Sequence, residues 1–107
     1  MAREIKFRAW EHDRQKMCYG YKNYIADAEQ NNYPLMQFTG LLDKNGTEIY
    51  EGDWVKHDAW DYNFQVIFNQ EKARFVCKLK TGLTTYIDNE MVEVSGNIYE
   101  NPELLTQ

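Results

Sequence analysis

Two histidines and two cysteines, His12, His57, Cys18 and Cys77, are the side chains of this chain best suited to hold a metal or attack a substrate. Neither histidine has a second ligand three or four residues away, the spacing that sets two ligands on one helical face. A Cys18/Cys77/His set would have to be assembled from unrelated strands, which argues against a zinc site. His57-Asp58 has the form of the pair found in metal phosphohydrolases. The further His and Asp residues that such sites carry on helices are missing, and the pair reads as a polar loop after Trp54–Lys56. A Cys/His nucleophile pair is available by count alone, yet Cys77 falls on the apolar parity of its strand, the place of a small core residue. No GxSxG elbow, P-loop or GxGxxG occurs. The carboxylate pairs Glu51/Asp53 and Asp58/Asp61 sit at turns, where Asp bonds its own backbone. No reaction, cofactor or metal is expected.

Recognition is better provided for than catalysis. Arg74, Lys78 and Lys80 share a strand face that Lys6 and Arg8, with Arg3 and Lys16, could extend, as small barrels do when they bind nucleic acid. The formal net charge of −5 opposes this, because phosphate affinity rests on excess Lys and Arg. The chain also holds eight tyrosines, five phenylalanines and three tryptophans. Trp10, Tyr50, Trp54, Trp60 and Tyr62 exceed what so small a core easily buries, and exposed aromatics suit protein contacts. The alternative is that the barrel simply buries them. Protein binding is the preferred class, and nucleic-acid binding is the alternative.

These side chains must be positioned by strands. The stretch Leu41–Lys56 is the organising one. Asp43-Lys44-Asn45-Gly46 is a turn, with Gly46 at the position that takes positive φ. A second break follows at Glu51-Gly52-Asp53, leaving only Glu48-Ile49-Tyr50 as a strand between the two. Turn, very short strand, turn, strand is a corner-making device of small barrels. Before it, Ile5, Phe7 and Ala9 alternate with Lys6 and Arg8, leaving Trp10 on the polar parity, at a sheet edge or a contact. Glu11–Lys16 is a hairpin loop and Met17–Tyr21 returns from it. Asn23–Tyr33 is a short helix or a mobile segment ended by Pro34.

The cleanest pattern runs from Trp60 to Lys80. With Gln70–Ala73 as the loop, Phe68 faces Phe75, Val66 faces Cys77 and Phe64 faces Leu79, placing every large apolar pair on one side. Thr81-Gly82 breaks the chain, and Thr84–Ile87 and Met91–Ile98 are further strands. Gly96 on the inner parity signals a bulge or a close backbone approach. Asn101, Pro102 and Glu103 read as cap, first turn and dipole partner of a short helix over 101–106, with Leu104 and Leu105 docking on the barrel. The fold class is mainly β, a small antiparallel barrel of SH3-like or related type with extra hairpins and a short C-terminal helical turn.

Met1–Trp10, Leu35–Val55 (LMQFTGLLDKNGTEIYEGDWV) and Val94–Leu105 (VSGNIYENPELL) together resemble the YopX family of phage and prophage proteins. Glu11–Tyr33 and most of His57–Glu90 lie outside the likeness, Ala2 is an extra residue, and Trp54 is bulkier than the aliphatic residue usual there. The resemblance implies a phage origin and a mostly β fold, and it supplies no catalytic residue. At 107 residues the chain reads as one domain. With no leader and no apolar run of the roughly 20 residues that a membrane helix needs, it reads as cytoplasmic, reduced and without membrane contact. Charge comes in blocks: residues 1–22 hold six basic against three acidic, 23–61 two against eight, 62–80 four against one, and 81–107 none against five. Such alternation suits either interleaved strands in a monomer or a self-complementary homo-oligomer. A host or phage protein is the expected partner.

Overall fold

The computed structural model describes residues 4–20, 25–60 and 62–106. Nine strands build two antiparallel sheets: β1 Phe7–Glu11, β2 Lys16–Tyr19, β3 Leu35–Leu42, β4 Glu48–Tyr50, β5 Asp53–His57, β6 Asn63–Asn69, β7 Arg74–Lys78, β8 Thr84–Thr85 and β9 Val92–Asn97. One sheet has the order β2-β1-β3-β4 and the other β8-β7-β6-β5-β9. Together they form a mainly β, curled antiparallel half-barrel with a lone 3-10 turn, Pro102–Thr106, near the C-terminus. Between β2 and β3 lies the helix α1, Ile25–Gln30. Asn23 and Tyr24 of the expected helix-or-loop segment lie outside the described residues.

The β6–β7 hairpin has the expected register, with Gln65 opposite Lys78, Val66 opposite Cys77, Ile67 opposite Val76 and Phe68 opposite Phe75. Val66 and Cys77 join Ile49, Val55, Phe64, Ile87 and Val92 in the main core. Its one-sided reading needs two corrections. Val76, on the opposite parity, is also buried, whereas Phe68 is 42% exposed. Phe75 is half-buried against the main core, and the exposed Phe68 ring meets it edge to face at 5.2 Å beside a surface hollow that the two share with Gln37–Leu41 of β3.

Leu41–Lys56 is the junction between the sheets. The Asp43 carboxylate accepts the Asn45 and Thr47 amides at 2.9 Å each and the Val94 amide at 2.8 Å. One side chain thus closes the turn and ties it to β9. Gly46 has φ +83° with no atom near its missing Cβ, as the turn demands. β4 belongs to the first sheet and β5 to the second. Between them Gly52 donates to Val66 O at 2.8 Å and accepts from Ile98 N at 3.0 Å, so the corner is bonded to both flanking strands of the second sheet. Opposite β4, the β3 register slips between Phe38 and Leu42. Thr39 Oγ1 fills that irregularity, donating to Ile49 O at 2.8 Å and accepting from Leu41 N at 3.1 Å.

β1 departs from the sequence reading for a tertiary reason. Arg8, Ala9, Trp10 and Glu11 are all buried, on both parities. Ala9 packs with Ala28 of α1, Phe7, Cys18, Tyr33 and Leu35. On the opposite face Trp10 stacks on Tyr99 at 5.7 Å. β8 is shorter than the expected Thr84–Ile87 strand. A bulge places Gly96 opposite Trp54 and Val94 opposite Val55, and a Cβ on Gly96 would come within 2.5 Å of Asn101 Oδ1. Asn101 keeps its expected place before Pro102, but its side chain turns back to accept the Asn97 amide at 3.2 Å. The Leu105 side chain lies outside the described residues.

Candidate protein-contact cleft

Three of the five aromatic contact candidates are inside the molecule. Trp10 and Tyr50 are buried, and so is Trp54, whose indole donates to Asn101 O at 3.1 Å. For these three the expectation of a surface place is corrected in favour of the alternative, burial: Tyr99 and Asn101 of the C-terminal segment cover Trp10 and Trp54, and Arg8, Tyr19 and Phe38 pack around Tyr50. Trp60, by contrast, is 51% exposed and belongs to the β5–β6 loop rather than to a strand. Tyr62 is half-buried, 6.2 Å from the Trp60 ring and 4.9 Å from the Phe64 ring.

The loop is built by short-range bonds. Trp60 N donates to His57 O at 3.1 Å, and Ala59 N to His57 Nδ1 at 3.0 Å. Asp58 N reaches across to Met91 O at 3.0 Å. On the facing side the Thr81-Gly82 break forms a turn in which Leu79 N donates to Leu83 O at 2.8 Å. Between Trp60 of the β5–β6 loop and the segment Thr85–Asp88 opens a cleft of about 210 Å³. Phe64, Cys77 and Val92 are its buried floor, and Trp60, Leu79, Thr85 and Tyr86 its walls. His57 and Asp88 supply the polar rim, with Nε2 3.6 Å from Oδ2. Tyr86 is 67% exposed, and Leu83 and Met91 nearby in sequence are also exposed. Burial pushes the Cys77 thiol up to about 12, which leaves it apolar and unreactive in the floor. Tyr86 was legible as the outward neighbour of buried Ile87. The His57–Asp88 pairing carries no signal in the sequence, since 31 positions separate the two residues.

The cationic candidates do not form one strip. Arg8 and Lys6 belong to the segment of the first sheet, and Arg74, Lys78 and Lys80 to the second. Arg8 is corrected outright: it is buried, with Nη2 2.8 Å from the Asp53 carboxylate and 3.2 Å from Glu51 O, and its guanidinium lies 4.8 Å over the Tyr50 ring. Asp53 also accepts the Tyr50 amide at 2.7 Å. Burial pushes the Asp53 carboxyl above its ordinary range, and Arg8 with that amide pulls it back. Lys6 is paired with Glu48 and, at 2.7 Å, with Glu4. Arg74, Lys78 and Lys80 are exposed, with Lys80 Nζ 5.3 Å over the Tyr62 ring. Among the described residues no three His, Cys, Asp or Glu side chains converge to hold a metal ion. Cys18 and Cys77 are free thiols. No helix of the described residues is long and apolar enough to cross a membrane.

A curled β half-barrel, a corner at residues 41–56 and a C-terminal turn packed on β5 define a small, mainly β protein. The family model described as "YopX protein" matches residues 21–106, and the chain belongs to the YopX family. Among solved structures it is similar to the crystal structure of protein EF1440 from Enterococcus faecalis, with 24% identity, a TM-score of 0.68, and coverage of 97% of this chain and 99% of that one. That likeness concerns the fold. No curated protein matches the chain.

Proposed function

We propose that this protein is a non-enzymatic interaction module, encoded by a phage or prophage and acting in the bacterial cytoplasm, that binds a host or phage protein through the cleft between Trp60 and Tyr86. The observation that carries this reading is the pair of large aromatic side chains, 51% and 67% exposed, held over an apolar floor by loops that are themselves hydrogen-bonded. Aromatic rings raised beside a desolvated pocket are the usual anchors of protein contacts. The phage setting rests on the family likeness. Tagged protein and a Trp60→Ala/Tyr86→Ala variant, with Phe68→Ala as a surface control, would be used to capture partners from bacterial lysate. The reading requires a partner that wild type and the control retain and the double variant loses; equal capture by all three defeats it.

A second copy of the chain is one candidate partner. Light scattering at micromolar concentration tests it against the 12.8 kDa of a single chain. Of the described cations named for nucleic-acid contact, Arg74, Lys78 and Lys80 are exposed on the second sheet and Lys16 on the first, while Arg8 is buried and Lys6 is paired.

A further inference from the structure

We propose that the cleft and the adjoining β8 edge receive an extended segment of a protein partner, with a lysine or arginine side chain of that segment seated between Trp60 and Tyr86. The inference deepens the contact reading above and rests on it. β8 is the last strand of its sheet, with Thr84 and Thr85 paired to Lys78 and Cys77 on one side and no strand on the other among the described residues. An edge of this kind accepts an added strand, whose backbone supplies affinity while every second side chain points to the same face. The cleft beside it, at about 210 Å³, has room for one long side chain.

The charge of the site selects which. Asp88 lies on the rim, and residues 81–107 hold five acidic and no basic residues. Of the cations nearby, Lys44 pairs with Asp58 at 2.5 Å and Lys80 lies over the Tyr62 ring, while Lys78, opposite Thr84, is turned to the other face of β7, where it lines a hollow with Trp54 and Gln65. Aromatic faces and a carboxylate together attract a cation, and an apolar floor takes the methylene stem that carries it. A glutamate in the same place would meet like charge. A polyphosphate backbone would do so repeatedly.

The test uses three capped pentapeptides, Thr-Val-Arg-Val-Thr and its versions with glutamate or norleucine in place of arginine, and a single-stranded oligonucleotide. Binding is read by backbone amide and indole shifts in two-dimensional NMR. The arginine peptide should move the Thr84 and Thr85 amides and the Trp60 indole, and bind roughly tenfold or more tighter than the glutamate peptide. Trp60→Ala should abolish the effect, Asp88→Asn should weaken it, and N-methylation of the peptide backbone on its edge-facing amides should weaken it too. The proposal is overturned by no shifts at millimolar arginine peptide, by glutamate or norleucine binding equally well, or by the oligonucleotide taking the cleft instead. A lysate partner that depends on Trp60 while all three peptides fail would leave the contact reading standing and remove this one alone.

Discussion

Removing one member of the Arg8–Asp53 pair should be the most damaging polar substitution in the protein. The two groups meet at 2.8 Å with side chains only 3% and 2% exposed, so neither charge can turn to water when its partner is lost. Breaking a buried pair in this way costs about 3–5 kcal/mol, most of it the desolvation of the charge left behind. Asp53→Ala additionally strands the Tyr50 amide, bonded to that carboxylate at 2.7 Å, at about 1–3 kcal/mol. Arg8→Met leaves an unpaired carboxylate, but one that burial already inclines toward its neutral form, so its cost should be the smaller of the two. Arg8→Met/Asp53→Leu removes both charges, and its cost should fall well short of the sum of the single costs, giving a coupling of about 2 kcal/mol or more. Urea unfolding at neutral pH with tryptophan emission as the probe measures all four corners of the cycle. Against a total stability of about 5–15 kcal/mol for such a domain, Asp53→Ala should sit close to unfolding. A cost below about 1 kcal/mol for Asp53→Ala, or additive behaviour in the double variant, would refute the claim that this pair is sealed from solvent and fastens β1 to the corner.

Other perturbations address the corner, the C-terminal bulge and the core thiol. For Asp43, burial would raise the carboxyl pKa, but the Val94, Thr47 and Asn45 amides outweigh it and hold the group below its ordinary range. A depressed folded pKa contributes stability above the unfolded value of about 3.9 that is lost as pH falls through the folded one. Asp43→Asn should therefore cost about 1–3 kcal/mol at pH 7, with the gap to wild type closing below about pH 4 in urea melts; a gap independent of pH would contradict this. Gly46→Ala should cost about 1 kcal/mol from positive φ alone, since no atom lies within 4 Å of the new Cβ. Gly96→Ala should cost more, because Asn101 Oδ1 is 2.5 Å from where its Cβ would stand, and the order of the two melting temperatures checks the bulge. With a thiol-reactive dye at pH 8, half-buried Cys18, slowed because burial and Glu11 raise its thiol too, should still label in the folded protein, while Cys77, buried and pushed up to about 12, labels only as fast as the chain unfolds. Two equally fast thiols would contradict that burial.

Local chemistry and short-range pairing make much of this protein legible in its residues alone. The β6–β7 register follows from apolar residues two apart on each arm of a hairpin with a four-residue polar loop, because only one alignment matches them. The Asp43–Gly46 turn, the short β4 and the approach at Gly96 follow from residues whose conformational preferences act within a few bonds. What strand parity does not carry is which faces a second layer will cover. Trp10 and Arg8 share a parity with Lys6, yet the corner and the C-terminal segment fold over them and leave Lys6 at the margin with Glu4 and Glu48. Trp54 is enclosed by the same C-terminal segment, and Tyr50 by Arg8, Tyr19 and Phe38. Trp60 stays outside because the chain leaves β5 at His57 and re-enters the sheet only at Asn63. The cleft brings residues from 57 to 92 together across five strands and the loops between them, so its existence depends on the curl of the sheet and not on any spacing along the chain.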